Sequence, residues 1–152
     1  MSIPVPPLPF DLSQPYGLDK RAKQALLLDT LNTLTQWHQQ QCMPYRNILA
    51  AIFKRNTAQT LGDLPFVPVR LFKTLDLVSV NKDDIVKTLT SSGTTGQAVS
   101  KIYLDRETSV RQTRVLAAIM AAFLGPQRLP MVIVDSADLL QDRTRFNARA
   151  AG

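Results

Sequence analysis

Only one cysteine, Cys42, and one histidine, His38, occur in the whole chain. A lone thiol cannot close an internal disulfide, and one cysteine with one histidine supplies none of the ligand spacings of a zinc site. No apolar run comes near the roughly 20 residues a membrane helix requires. The N-terminus also lacks the basic stretch followed by an apolar core that marks a secretory signal. A cytoplasmic protein without a membrane span is therefore expected. Runs of positive charge are missing too. The net charge is +6, but Lys20, Arg21, Lys23, Lys54, Arg55, Arg111, Arg114, Arg143 and Arg149 are scattered along the chain, which argues against nucleic acid as the main partner.

What is present fits an ordinary globular composition, with 45% hydrophobic and 20% charged residues in 152, enough for one domain or part of one. Residues 1–17 alternate proline with apolar residues from Pro4 to Pro9 and read as an extended arm. A helical lead-in over 18–61 follows. Positions 18–41 contain no helix breaker, and Leu27, Leu31, Leu34 and His38 recur at intervals of four and three, so one amphipathic helix is expected there. Pro44 suits the first turn of a second helix carrying Ile48, Leu49, Ile52 and Phe53. His38 and Cys42 sit one turn apart. With no acid to orient them, a structural role outweighs a nucleophile pair.

From 62 to 152 the pattern changes to mixed α/β. Gly62-Asp63-Leu64-Pro65 ends the helical pattern, and Pro65 and Pro68 impose an extended path before Arg70 and Lys73, which are read as surface charges. Ile85-Val86-Lys87-Thr88-Leu89 and Lys101-Ile102-Tyr103-Leu104 have strand character. Asp105 is placed to cap a helix through Thr108, Val110, Leu116, Ala117, Met120 and Phe123, stopped by Gly125 and Pro126. Residues 130–135 read as a buried strand, with Asp135 at its carboxyl end as a cap or, less favoured, a ligand contact. Residues 146–152 end without a closing element, as if in mid-domain.

Between the two strands lies Thr90-Ser91-Ser92-Gly93-Thr94-Thr95-Gly96-Gln97. Gly93 and Gly96 allow positive φ and a close approach of backbone to ligand, and consecutive N–H groups can turn inward as an anion nest. The hydroxyls of Ser91, Ser92, Thr94 and Thr95 add rotatable donors. No Lys-Ser or Lys-Thr pair follows the second glycine, which excludes the Walker type of phosphate loop. From the residues alone, a polar hairpin turn explains the stretch about as well as a phosphate-holding loop does.

The stretch Ser91-Ser92-Gly93-Thr94-Thr95-Gly96 resembles the ATP phosphate loop of the adenylate-forming superfamily, which contains acyl-CoA ligases, luciferases and peptide-synthetase adenylation domains. With Phe66-Val67-Pro68-Val69-Arg70-Leu71-Phe72-Lys73, with Ile102-Tyr103-Leu104-Asp105 and Thr108, and with Phe146-Asn147-Ala148-Arg149-Ala150-Ala151-Gly152, it is similar to the acyl-protein synthetase family. Members of that family activate long-chain fatty acids for bacterial bioluminescence and related pathways.

The resemblance implies the N-terminal part of an adenylate-forming large domain, a helical lead-in followed by a sheet with flanking helices. It implies ATP and Mg²⁺ as cofactors and a fatty acid as substrate, with acyl-reductase and acyl-transferase subunits as partners. Ser91, Ser92, Gly93, Thr94, Thr95 and Gly96 would bind phosphate. The superfamily loop continues with Pro-Lys, where Ala98 and Val99 stand here, so Lys101 is the nearest ammonium to that place. The family's adenine and ribose motifs, catalytic lysine and acyl-accepting cysteine would fall beyond residue 152. The chain is therefore expected to be a fragment with little catalysis of its own. Two other readings stay open: a ligase for aryl or other small acids, and a non-catalytic binding domain in which the loop is a plain turn.

Overall fold

The computed structural model describes residues 11–53, 57–91, 98–130 and 132. They form two compact units, one comprising Met1–Pro68 with Leu77–Asn81, the other Val69–Asp76 with Lys82–Gly152.

The first unit is helical. Helix α1 (Lys20–Gln41) starts at Asp19, which is extended and whose carboxylate accepts the Ala22 N–H at 2.9 Å, satisfying one of the orphan donors of the first turn. It stops at Cys42, which turns extended and gives its N–H to the His38 carbonyl. The same residue precedes helix α2 (Met43–Ile52), where Pro44 occupies the first turn as its spacing predicts. Arg46 on α2 reaches back with Nε to the Gln39 carbonyl at 3.1 Å and Nη2 to the Gln40 carbonyl at 3.3 Å. Its positive charge thus meets the negative end of α1, where unpaired carbonyls collect.

The deepest side chains in this unit are Thr35, Trp37, Cys42, Leu49 and Ala58. Asn32 holds both backbone groups of Ala58: Nδ2 donates to the Ala58 carbonyl at 2.9 Å and Oδ1 accepts the Ala58 N–H at 2.8 Å. Thr60 and Asp63 close a 3₁₀ turn over Leu61–Asp63 as a capping box, and Phe53 meets Phe66 edge to face at 5.6 Å between ring centres.

The expected leucine stripe of α1 needs correction. Leu27 and Leu31 are 39% and 38% exposed, whereas Leu26, Leu28 and Leu34 are half-buried. Three leucines in succession leave the inward face undecided by spacing. The positions of Asn32, Thr35 and Trp37, which contact the rest of the unit, decide it.

The second unit begins with a single helical turn, α3 (Leu71–Thr74), and a 3₁₀ turn at Lys82–Asp84. Strands β1 (Ile85–Thr90) and β2 (Lys101–Asp105) then pair antiparallel. The register sets Thr90 opposite Lys101, Leu89 opposite Ile102, Thr88 opposite Tyr103 and Lys87 opposite Leu104, and slips between Ile85 and Lys87. Alternation puts Lys101 and Tyr103 on one face and Ile102 and Leu104 on the other. Leu104 is buried.

Helix α4 (Arg106–Leu124) leaves directly from β2 and packs on both strands. Asp105 caps it by accepting the Thr108 N–H at 2.8 Å, and an Arg111–Glu107 pair at 3.0 Å bridges one turn of its surface. Gly125 ends the helix at φ 82, ψ 166, a region open in practice to glycine alone. The result is a mixed α/β chain, a helical lead-in followed by a sheet and a flanking helix, as the sequence predicts. The expected arm at Pro4 to Pro9, the strand over 130–135 with Asp135, and the final 146–152 stretch lie outside the described residues, apart from Pro130 and Val132.

Candidate functional site

The serine, threonine and glycine stretch joins β1 to β2 in the sequence. Of the phosphate-binding candidates, Ser92, Gly93, Thr94, Thr95 and Gly96 lie outside the described residues, whereas Ser91 and Lys101 are placed. Ser91 closes the foot of the loop against Ser100: its N–H donates to the Ser100 carbonyl at 3.1 Å, and its Oγ accepts the Ser100 N–H at 3.0 Å. Among the described residues, that hydroxyl acts as an acceptor. Ser100 carries no signal in the sequence. Its role depends on strand register, which spacing cannot show.

Lys101 is the first residue of β2 and stands opposite Thr90 at the mouth of the hairpin. Its ammonium lies 3.6 Å from Asp76 Oδ1. The same carboxylate oxygen accepts the Tyr103 hydroxyl at 2.6 Å. The two β2 side chains that share a face therefore converge on one acid supplied by the segment after α3. Asp76 is held below the usual carboxylate range, chiefly by the Tyr103 hydroxyl and then by the Lys101 charge. Tyr103 is pushed up to about 12 by burial first and by the Asp76 carboxylate second. Asp76 has no sequence signal, since it stands 27 residues from Tyr103 in a stretch without a motif.

Arg70 and Lys73 are exposed, as expected for surface charges. His38 and Cys42 are joined through the backbone, while the His38 ring turns to Ser79, with Nδ1 2.7 Å from the hydroxyl. Trp37 and Tyr45 flank the ring edge-on at 4.8 and 6.2 Å. Burial pulls the His38 pKa below its ordinary value, and Cys42 is buried. This is a packed structural imidazole, in keeping with the reading from sequence. Among the described residues, no three acidic, histidine or cysteine side chains gather as a metal site, and no helix is long and apolar enough to cross a membrane.

The described part of this region is thus a strand-pair foot fixed by Ser91 and Ser100, with Lys101 beside it. The sequence profile described as acyl-protein synthetase, LuxE, matches residues 7–152. The chain belongs to the acyl-protein synthetase family, a family of ligases. No curated protein and no solved structure matches it.

Proposed function

We propose that residues 91–96 hold the β- and γ-phosphates of ATP and that the chain serves the activation of a long-chain fatty acid. The observation that carries this reading is the match to the acyl-protein synthetase family over residues 7–152. The hairpin supports it by presenting the resembling loop from a closed foot. In the reaction, a carboxylate oxygen of the fatty acid attacks the α-phosphorus, the bond between the α-phosphorus and the bridging oxygen breaks, and pyrophosphate leaves. A protein thiolate then attacks the acyl carbonyl and displaces AMP.

The residues of this chain contribute to the first step. Donors at the loop meet the charge that builds on pyrophosphate. The Ser91 hydroxyl and the Lys101 ammonium are groups of the right kind at the foot of the loop, and Mg²⁺ carried by the nucleotide would share the charge on its phosphates. Acyl-reductase and acyl-transferase subunits are the proposed partners, in the setting of bioluminescence or a related cytoplasmic pathway.

We further propose that the 152 residues alone bind nucleotide but turn over little. The test is ATP–pyrophosphate exchange with a long-chain fatty acid or with benzoate, on this chain and on a C-terminally extended one. Exchange that needs the extension and the fatty acid is expected. Exchange driven equally by benzoate would favour a small-acid ligase, and brisk exchange by the 152 residues alone would contradict the incomplete-site reading.

A further inference from the structure

We propose that Asp76 is a positioning residue for Lys101, holding its ammonium in reserve at the loop until a polyphosphate takes it. This rests on the phosphate-loop reading and adds to it the control of a cation placed beside Thr90 at the start of β2.

Three observations lead there. First, Lys101 is rooted at the loop, opposite Thr90 and next to Ser100, whose N–H and carbonyl close the loop foot on Ser91. A flexible four-carbon stem lets its charge swing while its Cα stays fixed. Second, the ion pair is long and wet: at 3.6 Å, with side chains 48% and 67% exposed, it belongs to the class of surface pairs that water and salt readily loosen. A triphosphate with several negative charges outcompetes a single carboxylate for such an ammonium.

Third, Asp76 does not depend on the lysine for its own position. Its Oδ1 accepts the Tyr103 hydroxyl at 2.6 Å, a short charge-assisted bond, and Lys82 adds positive charge nearby. When Lys101 leaves, the acid stays in place. The carboxylate therefore acts as a standing competitor. It sets how much negative charge an anion must carry to capture Lys101, and it favours a triphosphate over a weakly charged anion.

The test uses the 152-residue chain with inorganic tripolyphosphate and with MgATP as probes, titrated by calorimetry. Asp76→Asn keeps a carbonyl oxygen for the Tyr103 hydroxyl but removes the competing charge. It is expected to tighten tripolyphosphate binding by about three- to tenfold, the scale of one partly screened charge. Lys101→Ala is expected to weaken binding, and adding Asp76→Asn to it should then give no gain. That non-additivity is a readout that a merely structural role for Asp76 would not produce. Alkaline absorbance titration of Asp76→Asn, with Tyr103 ionising below its level of about 12, verifies that the contact was altered. Tight parent binding with no change in Asp76→Asn, or the same gain with and without Lys101, overturns this inference alone. No binding by parent or variant overturns the phosphate-loop reading, and this one with it.

Discussion

His38 shows how a single residue can look catalytic in sequence and prove structural in the fold. One turn from Cys42 on α1, it has the spacing of a reactive pair. Its ring is instead packed between Trp37 and Tyr45 and bonded to Ser79. Burial lowers its pKa from 6.5, so the folded chain binds that proton less readily than the unfolded chain does. The sign of the linkage follows. The contribution is fully present above the unfolded value and is lost as the pH falls from 6.5 toward the lower folded value. Urea unfolding at a series of pH values should show stability declining over that window in the parent, and His38→Gln should flatten the decline. A parent whose stability rises as the pH falls through this window would contradict the packed, neutral imidazole. Ser79 could not have been found from sequence, because it lies 41 residues away with no motif around it.

At the scale of elements, the parts that could be read in advance are those with local causes. Pro44 marks the start of α2, and Asp105 with Gly125 brackets α4, because caps and breakers act within a turn of where they stand. The two strands either side of the loop were legible from β-branched and aromatic content. The inward face of α1 was not, since Leu26, Leu27 and Leu28 satisfy more than one helical stripe and a distant contact, Asn32 to Ala58, fixes the rotation. For the site, the loop was visible as a motif and Lys101 as its neighbour, but Asp76, Tyr103 and Ser100 enter through pairing and tertiary contact. The bracketing of α4 is testable. Gly125→Ala places a Cβ at φ 82, ψ 166, where nothing crowds it, so the expected loss of about 1–3 kcal/mol is backbone strain alone. Asp105→Ala removes the cap and should cost about 1 kcal/mol, and Asp105→Ser should recover most of it. Thermal and urea unfolding of the three variants would check both, and an unchanged Gly125→Ala would contradict the assigned backbone.

For the whole molecule, the two compact units are each discontinuous in sequence. Leu77–Asn81 belongs with the helical unit and Val69–Asp76 with the hairpin. The stretch 69–81 therefore supplies Asp76 to the hairpin and Ser79 to the helices, and no single cut separates the units with both contacts intact. Membership of the acyl-protein synthetase family spans both units, with the match running from residue 7 to residue 152. Family and fold class are thus settled at this scale, and the chemistry assigned to the loop is what stands to be measured.

The measurement that bears on it most directly is MgATP binding by calorimetry to the 152-residue chain and to Gly93→Asp. The substitution puts a negative side chain where backbone is proposed to meet phosphate. The account predicts saturable binding by the parent and at least a tenfold loss in the variant, about 1.4 kcal/mol or more. Equal binding by the two proteins would move the nucleotide away from residues 91–96 and leave the loop as a polar turn.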